Sequence, residues 1–171
     1  LTYAIRHSDR CERLILRGIF LLRKKEILWF YQEGASNIFP DSWEDYIAPI
    51  PLNERDDLVN AYYKRLTSKN KTIRLKAAKS WSLWEASTSK LYPSKDYLHH
   101  FEDSSVAESF ARIECHYFVN GGFFESDEWI LENINKIKKI PTVIVQGRYD
   151  IVCPMISAWE LYRAFPQSEL Y

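Results

Sequence analysis

Two stretches of this sequence have the make-up of buried parallel strands, and they stand near opposite ends of the chain. Arg13–Arg17 reads RLILR and is closed by Gly18. Pro141–Pro154 reads PTVIVQGRYDIVCP, with the β-branched run Val143-Ile144-Val145 at its centre. From about Arg23 to Lys139 the bulky residues recur instead at helical spacing, with breaks at Gly34, Ile50-Pro51-Leu52, Pro93-Ser94 and Asn120-Gly121-Gly122. Strands at both ends and helices between predict an α/β fold. The expected organisation is a core piece at 1–22, a helical cap at 23–139, and a second core piece at 140–171.

Within that frame, Leu1–Ser8 reads as the end of a helix and Lys25–Glu33 as a helix stopped by Gly34. Asp41 with Glu44 three residues on reads as an N-cap and capping box. Further helices are expected over Arg55–Leu66, Thr72–Ser87, Ser104–Val119, Asp127–Ile134 and Met155–Phe165. Ser168–Tyr171 reads as the start of another strand. Both ends fall within regular patterns, so the chain is read as an internal piece of a longer protein. Such a piece would expose a sheet edge and the apolar faces of Leu16 and Ile144, and poor solubility is expected.

Composition excludes several function classes. Lysine plus arginine and aspartate plus glutamate are 23 each, giving no net charge, so the basic excess of a nucleic-acid binder is missing. No apolar run approaches the roughly 18 residues of a membrane span. The three cysteines, Cys11, Cys115 and Cys153, have no C-x-x-C spacing. His7, His99, His100 and His116 have no ligand-like spacing. Neither a disulfide framework nor a metal site is expected, and a reducing, cytoplasmic compartment fits. His99-His100 reads as a solvated loop pair. Aromatic residues make up 15% of the chain, which points to an aromatic core or an aromatic-walled pocket.

Three carboxylates stand out. Asp150 lies just past the C-terminal end of a predicted parallel strand, where open α/β sheets place working groups. Glu85 continues the apolar face of Ile73, Ala77, Trp81 and Trp84. Glu114 lies within the stripe of Phe110, Ile113, Tyr117 and Phe118. A carboxylate on an apolar face is costly unless partnered. Each acid could pair with a lysine or arginine of the helical segment or reach water at its rim. The other reading is that the two together bind a cation, such as a protonated amine held among aromatic rings. The five glycines (Gly18, Gly34, Gly121, Gly122 and Gly147) allow no G-x-S-x-G, no G-x-G-x-x-G and no P-loop, and no histidine follows Asp150. These residues alone cannot form a Ser-His-Asp triad.

Five segments, in order, carry a family likeness: LRGIFLLRKKEILWFYQEGAS at Leu16–Ser36, FPDSW at Phe39–Trp43, WSLWEASTSKL at Trp81–Leu91, ARIECHYFVNGGF at Ala111–Phe123 and PTVIVQGRYDIVCP at Pro141–Pro154. With them the chain resembles the prolyl aminopeptidases (proline iminopeptidases), serine peptidases of the α/β-hydrolase fold. The resemblance implies release of N-terminal proline from peptides, with no cofactor. It implies that Asp150 is the triad acid and that Glu85 and Glu114 bind the substrate's free ammonium. Arg17, Phe20, Phe30 and Tyr31 would line the proline pocket, with Arg17 also balancing the two acids. The nucleophile elbow would precede Leu1 and the catalytic histidine would follow Tyr171. Two alternatives stay open: another capped hydrolase, such as an esterase, epoxide hydrolase or dehalogenase, and a non-catalytic peptide-binding protein.

Overall fold

The computed structural model describes residues 1–171, the side chain of Glu102 excepted. In chain order the elements are α1 (Thr2–Arg6), β1 (Leu14–Arg17), α2 (Lys24–Tyr31), α3 (Pro40–Ile47), α4 (Leu58–Leu66), α5 (Lys71–Thr88), α6 (Lys95–Glu102), α7 (Ser104–Val119), α8 (Trp129–Glu132), β2 (Thr142–Val145), α9 (Met155–Ala164) and β3 (Glu169–Leu170). The chain is a helix-rich α/β protein with a small parallel sheet. It divides into two units, one of 1–26 with 124–171 and the other of 27–123.

The first unit carries the sheet, in the order β1-β2-β3 and parallel throughout. Leu14 pairs with Thr142, Arg17 with Val145, and Ile144 with Leu170. The strand neighbours β1 and β2 are thus separated in sequence by the whole second unit, whereas β2-α9-β3 is a local crossover. One face of the sheet is covered: Thr142 and Ile144 are buried there, and Ile144 packs with Ile5, Ile19, Leu21, Ile134, Ile137, Leu161 and Phe165. Trp129 and Ile130 of α8 join the same core. The other face is open, with Ile15 81% and Val145 46% exposed. The apolar residues left in water are therefore Ile15 and Val145 and not, as the sequence suggested, Ile144 and Leu16. Strand residues alternate in side, and the helices of this unit cover the Leu16/Ile144 side.

One buried cation holds the segment after β1. Arg23 is 1% exposed. It contacts Glu26 at 3.5 Å, Glu128 at 3.2 Å and Glu160 at 2.6 Å. Glu26 also accepts from the backbone N–H groups of Leu21 and Arg23 and from the Ser157 hydroxyl. This cradle holds Leu22 in the left-handed region, at φ 62°, a conformation that a branched side chain resists.

The second unit is all helical. Helix α5 packs against α3, α4, α6 and α7. Asn70 caps α5 through Thr72 N–H at 2.9 Å, Asp57 caps α4, and Asp103 caps α7. Helix α3 starts differently from the sequence expectation. Pro40 occupies its first turn, Phe39 precedes it, and Asp41 lies inside with no capping bond. Pro93-Ser94 does separate α5 from α6, but Ser94 caps α6, so His99 and His100 lie in the last turn of a helix and not in a loop. Gly34 does end α2: at φ 138° a Cβ would stand 2.4 Å from the Trp29 ring.

Removing Arg23 would leave Glu26, which is 6% exposed, buried without a counter-charge. In a full-length protein carrying this chain, Arg23→Met should lose about 3–5 kcal/mol in urea unfolding; a loss under about 1 kcal/mol would show that the cluster does not hold the segment.

Candidate active site

The helical unit is built on stacked rings. Tyr46 and Tyr62 stack at 4.8 Å, and Tyr31 and Trp81 at 4.5 Å. Phe30 meets Tyr31 edge-on at 4.9 Å and lies 5.3 Å from Trp84. Their polar atoms are spoken for. The Tyr62 hydroxyl donates to the Tyr46 carbonyl, and the Trp84 indole donates to the Phe30 carbonyl at 3.2 Å. Two donors do not go to backbone. The Tyr31 hydroxyl donates to Glu85, and the Trp81 indole N–H donates to Glu114 Oε2 at 2.7 Å.

Those two bonds bring Glu85, Glu114 and Tyr31 into one cluster, with Phe118 5.1 Å from Tyr31 as a further wall. Glu85 is buried and Glu114 half-buried. Neither has a lysine or arginine partner among the described residues of their unit, so the cation-pairing reading of these acids gives way to neutral donors. Burial pushes the Glu85 carboxyl well above the usual carboxylate range, and the Glu114 charge pushes it further, against the Tyr31 hydrogen bond. Burial likewise raises Glu114 to about 7, opposed by the Trp81 and Tyr31 bonds. Burial, with the charges of Glu85 and Glu114, raises Tyr31 well above its ordinary value and keeps it a donor. The arrangement is an acidic pair in an apolar wall, supplied with hydrogen bonds but short of positive charge.

The buried faces of α5 and α7 differ in detail from the spacing. On α5 the buried residues include Ala77, Ala78, Trp81, Trp84 and Glu85, while Ile73 is exposed. On α7 they are Ala107, Ala111 and Cys115, while Ile113 (62% exposed) and Tyr117 face water. Small residues on α7 let it approach α5 closely, and that turns Glu114 inward and Ile113 outward.

The remaining predicted site residues belong to the sheet-bearing unit. Arg17 is exposed at the end of β1, and Phe20 is half-buried in the segment after Gly18. Asp150 stands in the loop after β2. Its Oδ1 accepts from Cys153 N–H at 2.9 Å, and its Oδ2 accepts from Gln146 Nε2 at 3.2 Å. Sequence reading passed over Gln146; its one signal is a polar residue ending an apolar strand four positions before the acid. It also missed that Trp81 and Tyr31 act through N–H and O–H as well as through their rings. Among the described residues no group of histidine, cysteine and acid is arranged to hold a metal, and no helix is long and apolar enough to cross a membrane.

Parallel strands flanked by helices, an acid beyond a strand end and a helical unit with an acidic pair together define the class: an α/β protein with a large helical insertion. No family model matches the chain. It is 62% identical to a probable proline iminopeptidase of Leptolyngbya boryana over 99% of its own length and 53% of the relative's. It is 53% identical to the proline iminopeptidase of Arabidopsis thaliana, covering 99% of this chain and 45% of that protein, and 46% identical to that of Neisseria gonorrhoeae, covering 99% and 54%. Over nearly its whole length the chain is similar to these proline iminopeptidases, and it spans about half the length of the curated relatives it matches.

The raised acids make stability fall as pH rises. Each binds its proton more tightly folded than unfolded, so its stabilising protonation is complete below the unfolded value near 4.5 and is lost as pH climbs through the folded value, about 7 for Glu114. In a full-length protein, Glu85→Gln or Glu114→Gln should therefore raise the melting temperature by roughly 2–8 °C at pH 8, with most of the gain gone at pH 4.5. Equal shifts at both pH values would contradict this electrostatic account.

Proposed function

We propose that the full-length protein carrying this chain is a serine aminopeptidase that releases N-terminal proline from peptides, on an α/β-hydrolase core with residues 27–123 in its cap. The observation that carries the proposal is the Glu85/Glu114 pair, buried among rings and short of positive charge. An N-terminal prolyl residue brings a secondary ammonium with two N–H donors, one for each carboxylate. An internal proline, whose nitrogen is a tertiary amide, brings neither charge nor donor. Rings such as Phe30 and Tyr31, with Phe20, would hold the flat pyrrolidine, and Arg17 would balance the acids.

Asp150 would then orient a catalytic histidine and stabilise its imidazolium while a serine attacks the prolyl carbonyl. The leaving peptide takes the proton from the histidine. Water releases proline from the acyl-serine in the second half of the cycle. The serine and the histidine would be supplied by other parts of the longer protein. The raised acids make amine binding and proton release one event: the ammonium displaces the protons that burial retains.

Turnover of prolyl amides should fall at least about 100-fold in kcat/KM for Glu85→Gln and for Glu114→Gln, while hydrolysis of a simple aryl ester survives. For the wild type, KM should rise toward about tenfold per pH unit below pH 7, as Glu114 takes up its proton. Unchanged prolyl amide turnover in both variants would remove the amine clamp and leave a general capped hydrolase.

A further inference from the structure

Gln146 is the last inward-turned side chain of β2's line, 7% exposed. Every hydrogen of its amide is used, and its bonds reach the segment after β1, the loop after β2 and the chain alongside β3. Its Oε1 accepts from Ile19 N–H at 2.7 Å, in the segment that follows β1. Its Nε2 donates to Asp150 Oδ2 at 3.2 Å and to the Cys153 carbonyl at 2.8 Å. Its own backbone N–H donates to the Tyr171 carbonyl at 2.9 Å, alongside β3. Turning the amide over would set NH₂ against the Ile19 N–H and set oxygen against the Asp150 and Cys153 oxygens, three repulsive contacts in place of three bonds. The side chain therefore has one orientation, fixed by its surroundings.

Asp150 depends on that orientation. Its carboxylate hangs on a tight turn, with Asp150 N–H donating to the Gly147 carbonyl at 3.3 Å, and has one anchor on each oxygen: Cys153 N–H on Oδ1 and Gln146 on Oδ2. The Cys153 anchor is local, three residues along the same loop. The Gln146 anchor refers the carboxylate to the sheet and, through Ile19, to the segment bearing Arg17 and Phe20. No cation is within ion-pair distance of Asp150 among the described residues, so its neutral donors set where its free lone pairs point.

We propose that Gln146 is a positioning residue for catalysis: it aims the Asp150 carboxylate and ties it to the Ile19–Phe20 segment, so that the acid and the substrate-facing segment move as one piece. This rests on the reading of Asp150 as the triad acid. The Gln146 side chain acts through Asp150 and touches no reacting atom.

The test uses the full-length enzyme on a prolyl amide substrate. Gln146→Met keeps the length and loses all three side-chain bonds. It should lower kcat about 10- to 100-fold with KM within about threefold, as a misaimed group close to the reaction does. Gln146→Glu gives a readout that a purely structural role would not move. Protonated, that glutamate can still donate to Asp150; ionised, it sets a negative charge against the Asp150 carboxylate and the lone pairs of the Cys153 carbonyl. The ratio of its kcat to wild type should therefore fall at least about tenfold from pH 5.5 to pH 8.5. The folded fraction of each protein is measured by circular dichroism at every pH and divided out, because an ionised glutamate at this buried position also lowers stability as pH rises. A ratio constant across pH, including activity lost equally at every pH, overturns the proposal. Asp150→Asn separates the two claims. If it costs about 10³-fold or more while both Gln146 variants match wild type, Gln146 fails and the triad acid stands. If Asp150→Asn stays within tenfold of wild type, the triad reading itself falls and takes this proposal with it.

Discussion

Two carboxylates set into an aromatic wall without a counter-charge are the constraint around which the helical unit is organised. Burying one such group is unfavourable by several kcal/mol, and a second nearby makes the first harder to ionise. The unit answers with neutral donors. Tyr31 stacks on Trp81 so that its hydroxyl meets Glu85, and Trp81 turns its indole N–H to Glu114. The remaining rings are satisfied by backbone carbonyls, so the two acids hold the polar capacity that the core leaves unspent. A cation placed there would gain what the protein lacks. A fold selected for stability alone would have put a lysine or a leucine at one of these positions.

The sheet-bearing unit follows a different logic. Its buried charge and amide have partners close by: Arg23 stands among three acids, its Nε and Nη2 meeting Glu26 and Glu160 as ion pairs without a hydrogen bond, Glu26 accepts from two backbone N–H groups and a hydroxyl, and Gln146 bonds to three segments. Networks of this kind fix conformation. They fix it where it matters for the proposed chemistry, in the segment after β1 and the loop after β2. The helical unit therefore leaves two acids short of positive charge, whereas the sheet-bearing unit surrounds its buried cation with acids.

Much of this was legible in the sequence, for identifiable reasons. The strands at Leu14–Arg17 and Thr142–Val145 were readable because each is a short apolar run with a turn residue at its edge, Gly18 after the first and Pro141 before the β-branched second. The inward placement of Glu85 and Glu114 followed from their spacing from Trp81 and Phe110. What spacing could not give was the partner. Whether a buried acid meets an arginine, a tyrosine or water depends on neighbours distant in sequence, and Tyr31 is far from both glutamates. Periodicity also misjudged α7, since it ranks Ile113 above Ala111 by size, whereas close helix packing selects the small residue. Gln146 escaped because a single amide at a strand end has no pattern; its importance lies in three contacts that only the fold assembles.

The central claim is that Glu85 and Glu114 recognise a free secondary ammonium and surrender protons to it. Titration calorimetry of the full-length protein with L-prolinol and with N-acetyl-L-prolinol, in buffers of different ionisation enthalpy near pH 7, addresses it directly. The account predicts that L-prolinol binds with net proton release, visible as a buffer-dependent heat, and that the acetylated compound, which has the same ring but no charge, binds at least about 100-fold more weakly. Equal affinity for the two compounds with no buffer dependence would contradict it.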